Sequence, residues 1–222
     1  MIRFQAAARR RGVTELAAPI AHEEIDRRAR LRAAASLAIA LEVRHASVGS
    51  HSHAVGWLAA RLAARLGLSC DEVELVRLAG SLHDLGKIAI TEEIIGKPGP
   101  LDAAERVLLR RHPRVAYRML TTVGIEPVAT WVLHAHEHWD GSGYPGRLAG
   151  DEIPLPSRIV LVADAYDSMT RDRPYRRRIP EERALAEIVR CAGTQFDPEV
   201  VGALALELAE LADMEGALEG VG

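Results

Sequence analysis

Apolar residues in this chain recur at the spacing of an α-helix, and no segment alternates convincingly at period two. That excludes sheet-based folds and predicts an all-α protein. Residues 22–42 read as a leading helix, and residues 51–66 place Val55, Leu58, Leu62 and Leu66 on one face, with Gly67 as a stop. Ser69 and Glu72 spell a capping box; the helix it opens presents Val73, Val76, Leu78 and Leu82 and runs toward His83. Asp102 and Glu105 repeat the device. Pro113 predicts a break after His112, Gly124 the end of the next helix, and Pro127 the first turn of another that reaches about His138. Residues 140–156 are rich in glycine and proline without periodicity and read as a long loop, of a length that tends to be functional. Helices over 157–169 and 180–192 follow, then one opened by Pro198. No Rossmann or P-loop glycine fingerprint is present.

With 222 residues, 48% of them hydrophobic, the chain can bury one sizeable core. Its pattern divides into a helical leader over 1–44, a domain over 45–212 and a tail over 213–222. Cys70 and Cys191 lie far apart without metal-site spacing, so they read as small core residues in a reducing compartment. The longest apolar stretch, near 33–41, is about half of the roughly 20 residues a membrane span needs. No secretory cleavage pattern follows the basic run 27–32, which predicts a cytoplasmic protein with no membrane partner. A net charge of −3 and few aromatic residues argue against binding duplex nucleic acid. Of 28 basic residues only Lys87 and Lys97 are lysines, so each lysine is a candidate for chemistry that a guanidinium does not do.

The nine histidines matter by position. His51 falls on a helix, His83 and Asp84 are adjacent at the end of another, His112 precedes the expected break, and His134, His136 and His138 crowd one helix end, with Asp164 on a later helix. Imidazole and carboxylate donors without thiolate suit Fe, Mn or Zn in a hydrolytic site. Neighbours on a helix project about 100° apart, so His83 and Asp84 can approach one metal cluster from two directions, and a carboxylate can bridge two ions. Any one of these histidines taken alone also reads as a surface or hydrogen-bonded core residue.

The ordered set HDLGK (83–87), KPGPL (97–101), HP (112–113), HEHWDGSGYP (136–145), ADAYDSMTRDRPYR (163–176) and GTQFDPEVV (193–201) resembles the HD-GYP family. That family is a branch of the HD-domain metal-dependent phosphohydrolases and hydrolyses the bacterial messenger cyclic di-GMP. The resemblance covers about residues 45–205. It implies an HD-domain helical bundle with C-terminal extension helices and a long GYP loop. It also implies a metal set of His51, His83, Asp84, His112, His136 and Asp164, holding two divalent ions, Fe or Mn. Such a pair lowers the pKa of a bridging water and aligns the hydroxide with a phosphodiester. Lys87 follows Asp84 by three residues and is placed to steady the hydroxide or the charge developing on phosphorus; Asp167 follows Asp164 by three and is placed to hold water or substrate. Glu137 reads as a residue that orients its neighbours. By resemblance Tyr144 contacts the substrate or a protein partner, and Arg173 and Arg176 bind its phosphates, which guanidinium forks suit. Trp139 and Tyr175 read as packing anchors.

The chain departs from the family pattern at three positions. Two consecutive histidines usually precede the glutamate, and here the first is Ala135, which predicts a weakened second metal site; His134 and His138 point too far away to replace it without rearrangement. Ser47 stands where members with three metals carry glutamate, so a third ion is not expected, and Ala54 replaces the usual arginine after the first histidine. The leading reading is a phosphodiesterase that opens cyclic di-GMP to linear pGpG and continues, in one version, to GMP. The alternative is a catalytically impaired module acting as a nucleotide receptor or a protein scaffold; a third is an HD phosphohydrolase of another phosphorylated substrate, such as a different cyclic dinucleotide. The leader helix allows pairing with a second copy.

Overall fold

The computed structural model describes residues 29–40, 43, 46–172 and 177–219, with side chains at 46–49 and beyond Met214 excepted. The expectations for Ser47, Arg173, Tyr175, Arg176 and most of the leader lie outside the described residues. Among the described residues ten helices follow in order: α1 over 29–40, α2 Ala46–Arg65, α3 Cys70–Leu82, α4 Glu92–Ile95, α5 Ala103–Leu109, α6 His112–Val123, α7 Glu126–Leu133, α8 Leu155–Thr170, α9 Glu181–Arg190 and α10 Pro198–Glu219. Short 3-10 turns at Leu85–Ala89 and Gly150–Glu152 interrupt them. Apart from an isolated bridge between Ala192 and Phe196, no β structure occurs among the described residues. The class is all-α.

The local signals act as chemistry requires. Both capping boxes form, Ser69 with Glu72 and Asp102 with Glu105, each closing orphan amides at a helix start. Gly124 ends α6 in the left-handed conformation at φ 78°. Pro113 differs from expectation: α5 stops at Leu109 and the proline sits in the first turn of α6, where its missing N–H is not needed. The helix expected to reach His138 stops at Leu133, and residues 134–138 turn to meet the long loop. Cys70 is exposed rather than buried, because it occupies the first turn of α3 on its solvent side, and Cys191 is only half-buried.

Helix α2 is the spine. It packs against α3 and α8, and Val55, Leu58 and Leu62 from its inner face join Val76, Leu82, Leu120, Val128, Val132, Ile159 and Val162 in one buried core. Full burial of each such side chain contributes about 2 kcal/mol. Gly56 and Gly80 let α2 and α3 come close: a Cβ on Gly80 would lie 2.8 Å from the Gly56 Cα. In α1, Ala34 is fully buried in the same core.

Candidate metal centre

Six side chains from five places in the chain converge where α2, α3, α6 and α8 meet. His51 comes from the second turn of α2, His83 from the C-cap of α3, Asp84 from the residue opening the 3-10 turn, His112 from the start of α6, His136 from the turn after α7, and Asp164 from α8. They form two trios, His51 with His83 and Asp164, and Asp84 with His112 and His136, with the donor atoms of each trio within 4.8 Å of one another. Asp84 lies between them: Oδ2 is 3.5 Å from His83 Nε2, and Oδ1 is 3.5 Å from His112 Nε2. Close approach of backbones permits this. A Cβ on Gly86 would fall 1.9 Å from the His112 carbonyl oxygen, so the 3-10 turn lies directly on the first turn of α6.

The unused atoms of this cluster fit cations. His83 Nδ1 donates to the Gly80 carbonyl at 2.7 Å and His112 Nδ1 to that of Leu109 at 2.8 Å, which leaves each Nε2 as a lone-pair donor turned inward. His83 Nε2 and Asp84 Oδ1 are buried without hydrogen-bond partners, an arrangement that costs free energy in a folded chain unless a cation completes it. His112 Nε2 and His136 Nε2 face each other at 2.9 Å. Burial, followed by neighbouring positive charge, pushes His136 down to about 3, and burial does the same to His112, to about 4, so both rings are neutral near neutrality as ligands must be. Burial would also lower His51, but the carboxylates of Asp164 and Asp167 outweigh it and raise the ring to about 9. Burial likewise opposes ionisation of Asp84, yet the positive groups around it hold it well below the usual carboxylate range.

These shifts set the pH response of the metal-free chain. His112 and His136 are protonated in the unfolded chain below about pH 6.5 but neutral when folded, so stability falls as pH drops from 6.5 toward 4. His51 has the opposite sign: its contribution is complete below 6.5 and is lost as pH climbs through about 9. Chelator-treated protein is therefore expected to melt at its highest temperature near pH 6.5 and lower on either side. Scanning calorimetry across that range checks it, and a flat profile would show that the histidine environments differ from these.

Other expected residues fall near the trios in differing ways. Lys87 Nζ is 2.5 Å from Asp84 Oδ2 and stands at the rim, partly exposed. Asp167 lies beside the first trio: Oδ2 accepts from His51 Nδ1 at 2.5 Å, and both oxygens accept from Arg171, which also reaches Ser50. It fixes the His51 ring, and Arg171 supports it, a role read only from i,i+4 spacing in hindsight. The Tyr144 ring stacks on His136, centroids 5.2 Å apart and planes 6° off parallel. Glu137 is fully buried and accepts the Gly146 N–H, binding the long loop to the turn that carries His136. Trp139 is half-buried beneath the Arg158 guanidinium. Ala135 packs into the hydrophobic core. His134 faces Glu137 and His138 bonds Ser142, so neither joins a trio; the second trio assembles from Asp84, His112 and His136 without them.

A helical bundle with an adjacent His–Asp pair at a helix end, met by imidazoles and a carboxylate from other helices, defines the HD-domain class. The HD-domain family model matches residues 30–200, and the chain belongs to that family, in the HD-GYP branch whose ordered motifs it carries. It is 39% identical over 183 residues to the cyclic di-GMP phosphodiesterase response regulator RpfG of Xanthomonas campestris pv. campestris, covering 81% of this chain and 48% of that protein. It is 38% identical over 176 residues to a cyclic di-GMP phosphodiesterase of Thermotoga maritima (78% and 48%), and 38% over 173 residues to the 3'3'-cGAMP-specific phosphodiesterase 2 of Vibrio cholerae (75% and 32%). The chain thus spans half or less of the length of these relatives. Among solved structures, Bd1817, an HDG"Y"P protein from Bdellovibrio bacteriovorus, shares the fold with a TM-score of 0.61 at 18% identity, covering 73% of this chain and 52% of that one. No helix among the described residues is long and apolar enough to cross a membrane.

Proposed function

We propose that the protein hydrolyses one 3'-5' phosphodiester bond of cyclic di-GMP to give linear pGpG, hydrolysis of the second bond releasing GMP, with one divalent cation, Fe or Mn, held by each trio. The observation that carries this reading is the pair of three-donor clusters sharing the space around Asp84. Bound cations would supply Lewis acidity toward the phosphate and a more acidic water. The chain's own residues do the rest. Asp84 offers one oxygen toward each trio, Asp167 holds the His51 ring through its Nδ1–H, and backbone carbonyls hold His83 and His112 through theirs, so each ring is fixed with its Nε2 toward the trios. Lys87 keeps an ammonium at the rim, where a phosphate oxygen enters. The printed activities of the relatives support a cyclic dinucleotide as the substrate class. The same reading carries the protein's cytoplasmic setting, pairing through the N-terminal helix and a protein partner at the GYP loop; sedimentation of the full chain with and without cyclic di-GMP tests the pairing.

Incubating the purified protein, loaded separately with manganese and with iron, with cyclic di-GMP and with 3'3'-cGAMP while following linear products tests the function. Turnover of cyclic di-GMP to pGpG is expected; binding without turnover under either metal would establish the receptor alternative instead.

Placement of the loop gives a second prediction. A Cβ on Gly143 would lie 2.2 Å from the His138 nitrogen and 2.5 Å from the Glu137 Cα. Gly143→Ala must therefore lift the loop and Tyr144 off His136. A displacement of this size at a reacting centre is expected to lower kcat/KM by about tenfold to a hundredfold, with faster proteolysis in residues 139–150; unchanged kinetics would show that the loop does not position the site.

A further inference from the structure

The geometry points to Arg110 as a substrate-binding residue, taking an oxygen of the phosphate that is not being cut in a cyclic dinucleotide; this rests on the function proposed above. Arg110 caps α5 immediately before the helix that begins with His112. Its guanidinium carbon stands 5.1 Å from the centre of the Tyr144 ring, and that ring in turn stacks on His136. The side chain is exposed, and among the described residues no carboxylate meets it in an ion pair. Several cations near the site differ, although among the described residues Arg114 also has no carboxylate partner and reaches only the Pro145 carbonyl. Lys87 is engaged by Asp84, Arg171 by Asp167 and Arg158 by Asp197.

An arginine held over an aromatic face has lost part of its freedom before any ligand arrives, while its N–H groups still point outward. A planar fork of this kind binds phosphate oxygens bidentately, and more strongly than an ammonium does. A cyclic dinucleotide carries two phosphodiesters in one ring. When one of them lies at the trios, the other keeps its negative charge and needs a cation beside the centre but not within it. Arg110 meets that requirement, connected to the centre through two ring contacts. A monophosphodiester has no second charge to offer it.

The test compares cyclic di-GMP with bis(p-nitrophenyl) phosphate, which has a single phosphate, using wild-type protein, Arg110→Ala and Arg110→Lys under one metal loading. Arg110→Ala is expected to lower kcat/KM for cyclic di-GMP about tenfold or more relative to that for bis(p-nitrophenyl) phosphate, mainly through KM. Cyclic di-GMP binding by the metal-depleted protein should weaken in parallel, and Arg110→Lys should recover part of the loss. Equal falls on both substrates, or no change on either, would overturn the assignment while leaving the proposed function intact. A wild-type protein that cuts bis(p-nitrophenyl) phosphate but neither binds nor cuts cyclic di-GMP would overturn both.

Discussion

Asp84→Asn is expected to reduce turnover on the order of a thousandfold and to lower bound metal from two ions per chain to one or none. The substitution keeps the shape and removes the charge. In the native chain Asp84 is 1% exposed, and although burial opposes ionisation, the His83 ring and the Lys87 ammonium beside it hold its carboxyl well below the usual carboxylate range. One oxygen faces each trio, and Oδ1 has no hydrogen-bond partner. An amide in its place presents N–H donors where ligand lone pairs are needed, and it deletes the one negative charge common to both clusters. The change also leaves Lys87 without its carboxylate partner, so some loss of stability is expected beside the loss of metal. Elemental analysis beside initial rates on cyclic di-GMP, with circular dichroism as the check on folding, decides the matter. A variant that keeps two ions and more than about a tenth of the wild-type rate would contradict the bridging position assigned to Asp84.

Gly86→Ala is expected to have the largest structural effect. The added methyl group would meet the His112 carbonyl at 1.9 Å, its carbon at 2.7 Å and the Ala116 nitrogen at 2.9 Å, all of them backbone atoms of one helix. Rotation of a side chain cannot relieve such contacts; the 3-10 turn and α6 must separate. That costs about 3 kcal/mol or more, which for a chain of this size lowers the melting temperature by about 10 °C. Separation also carries His112 away from Asp84, so metal affinity should fall with stability. Thermal melts with and without manganese test both parts: the variant is predicted to melt lower and to gain much less from the metal than the wild type does. A melting temperature near that of the wild type would mean that the two elements are not in direct contact.

Much of the fold was legible because its signals are local. Ser69 with Glu72 and Asp102 with Glu105 mark helix starts within four residues, and Gly124 marks an end through its own backbone conformation. Pro113 misled because proline breaks a helix interior yet opens a first turn equally well, and the pattern around it does not say which. The turn Leu85–Ala89 and the four-residue α4 are too short to show a period. For the site, motif order singled out six side chains that the fold brings together, but not their division into two trios, since that depends on how four helices cross. The Asp167–His51 bond joins residues 116 apart in sequence, and spacing from Asp164 could only place Asp167 on the same helical side. Arg110 was invisible in a chain this rich in arginine, because the Tyr144 ring that singles it out arrives from the long loop.

The account depends most on two cations held around Asp84. Anomalous diffraction at the manganese edge, from crystals of the protein grown with manganese, measures this directly. Two peaks are predicted, one among His51, His83 and Asp164 and the other among Asp84, His112 and His136. A single peak, or peaks away from these six side chains, would contradict it.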